Sequence, residues 1–131
     1  MSLSLINPEN LHDPVGFGYS HVARTRGDLV FIAGQYASDA DGHVTSPDFT
    51  DQVERSLANL RTALSAVGLD FRHVVALRTH IVDHDADKLA IIARLIGEIW
   101  GDRPPTQTLT GVAALALPDM QFEIDAVAVT D

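Results

Sequence analysis

The feature that most constrains the fold is the alternation of side chains in residues 122–129, near the end of the chain. Successive side chains of a β-strand point to opposite faces of the sheet. The first set is Phe122, Ile124, Ala126 and Ala128, and the second is Glu123, Asp125, Val127 and Val129. Both sets contain apolar residues, so both faces need cover. We expect helices to cover the first face and a second copy of the chain to cover the other.

Two further segments have the apolar periodicity of helices packed against such a sheet. In the first, from about residue 50 to 67, the apolar stripe consists of Val53, Leu57, Leu60, Leu64 and Val67. Asp48 or Thr50 is suited to cap its start, and Gly68 to follow its end. In the second, Asp85 to Trp100, the buried side consists of Leu89, Ile92, Leu95, Ile96 and Ile99. Gly101 and the following proline pair end it.

The remaining apolar runs predict strands. Residues 29–35 form a continuous apolar run typical of a central strand, and we expect residues 21–24 to pair with it as a hairpin. The turn at residues 39–43 should be exposed. Residues 73–82 return to strand character. The last two strands, interrupted near residues 117–119, are expected to form a final hairpin. The element order predicts an α+β fold with two layers, a mixed sheet with two helices on one face.

Length and charge narrow the class of protein. A chain of 131 residues is expected to form a single domain, residues 1–131. Its formal charge of −9 disfavours nucleic acid as a partner. No apolar run approaches the ~20 residues that a membrane helix needs, and no secretion signal is evident, so we expect a cytoplasmic protein without a membrane partner. The absence of cysteine excludes disulfides and thiolate nucleophiles.

Five short motifs resemble the RidA/YjgF (reactive intermediate deaminase) family. They are Gly16–Ser20, Phe31–Gln35, Gly101–Pro105, Pro105–Thr108 and Glu123–Val129. The resemblance extends over nearly the whole chain. It implies a RidA-like, chorismate-mutase-like fold that assembles as a homotrimer around a central barrel of sheets. It also implies one ligand cleft at each boundary between subunits.

The resemblance also assigns roles to individual residues, with one departure. In the deaminases, the motif that corresponds to Pro105–Thr108 lies at the start of a strand and contains an arginine that binds the substrate carboxylate. In this chain the residue at that position is Gln107. A neutral amide cannot pair with both carboxylate oxygens, so ordinary 2-imino acids should be poor substrates. Tyr19 is expected to wall the pocket, Gly34 to bring backbone close to the ligand, and Glu123 to orient or deprotonate a water. Glu123 has a structural alternative, which is to bond a backbone amide at the trimer seam.

Other polar residues are weaker candidates for this cleft. Arg103 precedes Gln107 by four residues and is a candidate displaced clamp, although an arginine beside a Pro-Pro turn is commonly solvent-exposed. Arg24 and Arg78 are similar candidates. His21 is placed near the pocket entrance, where a neutral imidazole could shuttle protons or serve only as a strand residue.

Metal and nucleophile chemistry have little support in the sequence. If residues 80–84 are extended, His80 and His84 lie roughly 13 Å apart, too far to share one ion. We therefore expect no metal site and no cofactor. Ser20, Ser38 and Thr108 have hydroxyls, but no histidine–acid pair stands at a spacing that would activate them.

These observations predict a homotrimer that binds a small metabolite in inter-subunit clefts. The expected activity is cofactor-free hydrolysis of an imine, enamine or related C–N bond. The alternative is a non-catalytic protein that binds a metabolite and acts in regulation.

Overall fold

The computed structural model describes residues 2–131, which form six strands and two helices. The strands are β1 (Ser4–Ile6), β2 (Val22–Arg24), β3 (Leu29–Gln35), β4 (Val74–Val82), β5 (Thr106–Val112) and β6 (Phe122–Val129). The helices are α1 (Phe49–Ser65) and α2 (Ala86–Trp100), with 3-10 turns at Val15–Phe17 and Phe71–His73. None of the helices in this range is long and apolar enough to cross a membrane.

Four strands form one mixed sheet in the order β3-β6-β4-β5. β6 is antiparallel to both of its neighbours, whereas β4 and β5 run parallel. Helices α1 and α2 pack on one face and share a single apolar cluster with it. The predicted α+β architecture, with two helices on one face of a mixed sheet, is therefore confirmed.

Both predicted hairpins are wrong. β2 pairs with β1 in a separate two-stranded sheet, and β3 pairs with β6. The start of β3 is tied to the end of β6, because Thr130 donates its backbone N–H to the Asp28 carbonyl at 3.0 Å. β5 and β6 do not pair either, since β4 lies between them. α2 provides the crossover that a parallel β4–β5 pair requires, and residues 113–121 then carry the chain past β4.

α1 begins and ends where capping chemistry predicts. The Asp48 carboxylate accepts the backbone N–H of Asp51 at 3.0 Å, which satisfies one of the free donors of the first turn. Gly68 has a φ of +73°, the left-handed conformation that favours glycine after a helix. The inclusion of Val67 in the buried stripe is wrong. The helix ends at Ser65, so Val67 lies beyond it and is 54% exposed.

The core lies between the helices and the inner side of the sheet. The predicted alternation in β6 is confirmed on that side, where Phe122, Ile124, Ala126 and Ala128 are all buried. Phe122 meets Phe49 of α1 edge to face, with ring centroids 6.2 Å apart. On α2 the buried residues are Ile92, Leu95 and Ile96, whereas Leu89 and Ile99 are half-buried.

The other side of the sheet, called the outer face below, has no cover from any of residues 2–131. Phe31 is 74% exposed and Leu29 is 60% exposed, and Val127, the partner of Phe31 in β6, is half-buried. An aromatic side chain this exposed on the face of a sheet provides an apolar surface that is available for association.

Candidate functional site

Several of the candidate residues from the sequence lie close together at β5, which forms one edge of the sheet. Tyr19 and His21 of the N-terminal segment, Arg78 of β4 and Thr106 to Thr108 of β5 line a cavity of about 370 Å³. Ser20 fastens the N-terminal segment to this edge. Its backbone N–H donates to the Pro105 carbonyl at 3.0 Å, and its buried hydroxyl donates to the Pro104 carbonyl at 2.6 Å. Ser20 is thus engaged in structure rather than available as a nucleophile.

The side chain of Gln107 is held on both sides by its own chain. Its Nε2 donates to the Gly18 carbonyl at 2.9 Å, and its Oε1 accepts the hydroxyl of Thr79, which is fully buried. The amide therefore bridges β4 to the loop that precedes Tyr19. Sequence reasoning placed Gln107 at the ligand cleft, but it did not foresee these two internal contacts.

Tyr19 belongs to a cluster of three rings. Its hydroxyl bonds His12 Nε2, and His21 Nε2 donates to the His12 carbonyl oxygen at 2.9 Å. The ring centroid of His12 lies 6.0 Å from that of Tyr19 and 4.8 Å from that of His21, both edge to face. Tyr19 also lines a second cavity of about 450 Å³, together with Phe17. His12 stands in none of the motifs, so no signal in the sequence could have identified it.

Gly34 and Glu123 meet on the outer face. A Cβ built on Gly34 would lie 2.6 Å from the Glu123 carboxyl carbon, closer than real contacts allow. Glu123 is half-buried, and within residues 2–131 its carboxylate has no hydrogen-bond or ion-pair partner. The residue opposite it in β4 is His80. The two positions that the family motifs single out in β3 and β6 are thus in direct contact.

A second polar group lies next to Glu123 on the outer face. Asp125 accepts Arg78 Nε on Oδ1 at 2.9 Å and His80 Nε2 on Oδ2 at 3.2 Å. His80 Nδ1 lies 3.1 Å from the Thr110 hydroxyl. The sequence pointed to Arg78 and His80 separately, whereas Asp125, which joins them, was seen only as part of the strand alternation.

The other arginine candidates lie elsewhere. Arg103 lines a separate cavity of about 630 Å³ with Trp100 and Phe71, and its Nη2 lies 3.4 Å from the Leu3 carbonyl. Within one chain it does not share the cavity of Gln107. Arg24 is exposed at the end of β2, where it pairs with Ser4.

The only group of three potential metal ligands in the part of the chain that the structure describes is Asp39, Asp41 and His43, all exposed. It is a turn stabilised from within, because Asp39 Oδ1 accepts the backbone N–H groups of Asp41 and His43, each at 2.9 Å. The bond from His43 lowers the pKa of the Asp39 carboxyl below its usual value.

Comparisons with known proteins agree with this architecture. The sequence profile of the family described as Endoribonuclease L-PSP matches residues 12–130. The chain is 33% identical over 110 residues to the RutC family protein YjgH of Escherichia coli (strain K12), covering 84% of this chain and 81% of that one.

Two solved structures are also similar. The first is the protein YyfB of the conserved Rid protein family from Yersinia pestis, described as of unknown function. It is 38% identical, with a TM-score of 0.94 and coverage of 99% and 100% of the two chains. The second is E. coli TdcF, described with bound serine, which is 27% identical with a TM-score of 0.69 and coverage of 82% and 85%.

Proposed function

The chain belongs to the Endoribonuclease L-PSP family, which includes the RidA/YjgF proteins, and from this premise we propose that it binds a small metabolite and hydrolyses its C–N bond. The substrate class is an imine, an enamine or a related activated C–N compound. The proposed unit is a homotrimer with one cleft at each subunit boundary.

The observation that carries this proposal is the free carboxylate of Glu123. The carboxylate has no partner within residues 2–131 and, although the residue is half-buried, its oxygens still reach solvent, so they are open to a water or a ligand. Gly34 leaves room for it beside the open part of the outer face. Such a group is suited to hold a water and to accept its proton.

The chemistry needs only water and proton transfers. The water oxygen forms a bond to the imine carbon while Glu123 takes a proton from the water and passes it to the nitrogen, which gives a tetrahedral carbinolamine and restores the Glu123 carboxylate. Glu123 then takes the proton of the carbinolamine hydroxyl and delivers it to the nitrogen as the C–N bond breaks, which releases ammonia or an amine and leaves a carbonyl. A general base of this kind contributes about 10²–10⁴-fold to the rate.

The exposed outer face supports self-association. Leu29 and Phe31 present an open apolar surface on the same face of the sheet as Glu123, and burial in a homotrimer would remove that surface from water. The same association would close the cleft around Glu123 and exclude bulk solvent from it.

Gln107 bears on the choice of substrate. Its amide is hydrogen-bonded to Thr79 and Gly18. It therefore offers a carboxylate neither a positive charge nor a pair of free N–H donors. We therefore propose that ordinary 2-imino acids are poor substrates at this position. Serine bound to TdcF supports the small-molecule class, and Gln107 in place of the arginine of the family motif supports a different specificity.

The second candidate is a binding protein without catalysis. The observation that favours it is the hydrogen bond of Gln107 to Gly18. At the position where the family motif has its substrate-binding arginine, this chain makes a contact within its own fold. In that case Glu123 would bind a donor group of the ligand rather than a reacting water.

Comparison of wild type with Glu123→Gln separates the two candidates. Imines generated in situ by a flavin amine oxidase from a panel of primary amines would be offered, with 2-imino acids from an amino-acid oxidase for comparison, and ammonia release and ligand binding measured. Hydrolysis predicts a loss of about 10²-fold or more in the variant with binding retained. Glu54→Gln, an exposed change on α1, is the control and should leave both unchanged. Binding without product from any imine supports the binding protein, and an unchanged rate in Glu123→Gln would overturn the role of Glu123.

A further inference from the structure

Arg78 is the only arginine or lysine within the four strands of the main sheet, all of which lie in the described part of the chain. It stands on the outer face, in register with Asp125 of β6 and Thr108 of β5. The outer face therefore has one permanent positive charge among its strand residues, although the chain has a net charge of −9.

One hydrogen bond fixes the orientation of the Arg78 guanidinium and leaves its other donors available. Its Nε donates to Asp125 Oδ1 at 2.9 Å, whereas its two terminal nitrogens bond no other residue of the range 2–131. The side chain is 72% exposed, and Asp125 is held from its other oxygen by His80. A guanidinium fixed at Nε presents its two terminal nitrogens as a planar fork, the arrangement that matches two oxygens of an anion.

This fork faces space that a ligand can occupy. Arg78 lines the cavity of about 370 Å³ with Tyr19 and Thr108, and also one of about 560 Å³ on the outer face with Phe31 and Gly34. Volumes of this size suit a small metabolite. The Thr108 side chain is exposed beside Arg78 and offers a hydroxyl donor to the same anion.

We infer that Arg78 is a specificity-determining residue that binds the carboxylate of a small organic acid. A carboxylate is favoured over a phosphate because Asp125 and Glu123 on the same face repel a dianion more strongly than a monoanion. The inference rests on the proposed function and deepens it by naming the acid group of the ligand.

The position of Arg78 also sets the shape of that ligand. Arg78 is opposite Asp125 and His80 is opposite Glu123, so Arg78 and Glu123 are diagonal neighbours on the outer face. Such neighbours are about 7–8 Å apart. A short acid held by Arg78 would bring a C–N bond a few carbons away towards the Glu123 carboxylate.

The test compares an acid with its neutral analogue. Binding of 2-oxobutanoate and of 2-oxobutanamide would be measured by titration calorimetry for wild type and Arg78→Gln. We expect the wild type to prefer the acid by about tenfold or more, and Arg78→Gln to lose that preference while it still binds the amide. Arg94→Gln, the same charge change on the exposed side of α2, should keep the wild-type ratio.

Each outcome decides the inference. An unchanged acid-to-amide ratio in Arg78→Gln would overturn the role of Arg78 alone, whereas a wild type that binds neither compound would overturn the small-molecule cleft as well. Tighter binding of methyl phosphate than of the acid would overturn the carboxylate assignment. Arg78→Lys keeps the charge but loses the fork, so it should retain only part of the preference, and it replaces the glutamine variant if that variant does not fold.

Discussion

The carboxyl group of Glu123 occupies the space that a side chain at Gly34 would need, since a Cβ at position 34 would be 2.6 Å from the Glu123 carboxyl carbon. The contact occurs where the register of β3 against β6 shifts, between Ile32 and Gln35. Gly34 is thus required by a close approach rather than by an unusual backbone angle. The position of the carboxylate and the absence of a side chain at residue 34 depend on each other.

Gly34→Ala is expected to fold and to lose activity. The atoms that a new methyl group would meet belong to the flexible end of Glu123, so the carboxylate can move away at a cost of about 1 kcal/mol. Its displacement should reduce C–N hydrolysis nearly as much as Glu123→Gln does. Thermal melts and the ammonia assay measure the two effects.

The matched control is Gly97→Ala. Gly97 is in α2, and a Cβ there would meet nothing within 4 Å. This variant should gain about 0.5–1 kcal/mol of stability and keep full activity. A Gly34→Ala variant with wild-type activity would contradict the dependence between Gly34 and Glu123.

Turnover of 2-iminobutanoate by the wild type should be weak. The reason is that the amide of Gln107 bonds Thr79 and Gly18 and binds no carboxylate. In addition, an acid held by Arg78 would keep its second carbon too far from Glu123, a diagonal neighbour about 7–8 Å away. A semicarbazide competition assay on the imine generated in situ measures the rate, with an enzyme-free reaction as the blank. Brisk turnover would refute this interpretation of Gln107, and a Gln107→Arg variant that gains no activity would show that a further departure also limits the site.

Gln107→Leu should destabilise the fold by about 1–3 kcal/mol, because the buried Thr79 hydroxyl would lose its acceptor. Urea unfolding of Gln107→Leu, Thr79→Val and the double variant would give the coupling between the two residues. The double variant should lose less than the sum of the single losses. Strict additivity would mean that the two side chains do not interact.

Phe31→Asp should abolish self-association. Phe31 is 74% exposed on the outer face, and a carboxylate there could not be buried against another copy. Light scattering should change from three times the chain mass of 14.1 kDa to that of one chain. Val67→Asp, at an exposed apolar position beyond α1, is the control and should remain trimeric. A wild type that is already monomeric would exclude the trimer.

Asp39 should make a small contribution to stability that depends on pH. Its pKa is lowered, chiefly by the backbone N–H of His43, so the contribution is present above the pKa of the unfolded chain and is lost as pH falls through the pKa of the folded chain. Asp39→Asn should flatten the acid limb of the melting-temperature profile. Asp41→Asn, whose carboxylate makes no hydrogen bond within residues 2–131, should preserve it.

Much of the local structure follows from short-range rules. The bounds of α1 depend on the cap residue Asp48 and on Gly68, which has a left-handed backbone. Both can be identified from residue type and position relative to the apolar stripe. The alternation in β6 likewise predicts which side of the strand is buried. The pairing of strands does not follow in this way. Two adjacent strands joined by a short connection favour a hairpin, and only the packing of the whole sheet places β6 beside β3 and β4 beside β5.

In the candidate site, too, the sequence identifies individual residues, whereas the contacts between them are known only from the tertiary structure. Motifs in the chain identify Tyr19, Gly34, Gln107 and Glu123, because residue type and spacing are local properties. The contact of Gly34 with Glu123, the bonds of Gln107 to Thr79 and Gly18, and the orientation of Arg78 by Asp125 join residues far apart in the chain. Such pairings depend on strand register, and register is decided by the simultaneous packing of all four strands against the helices.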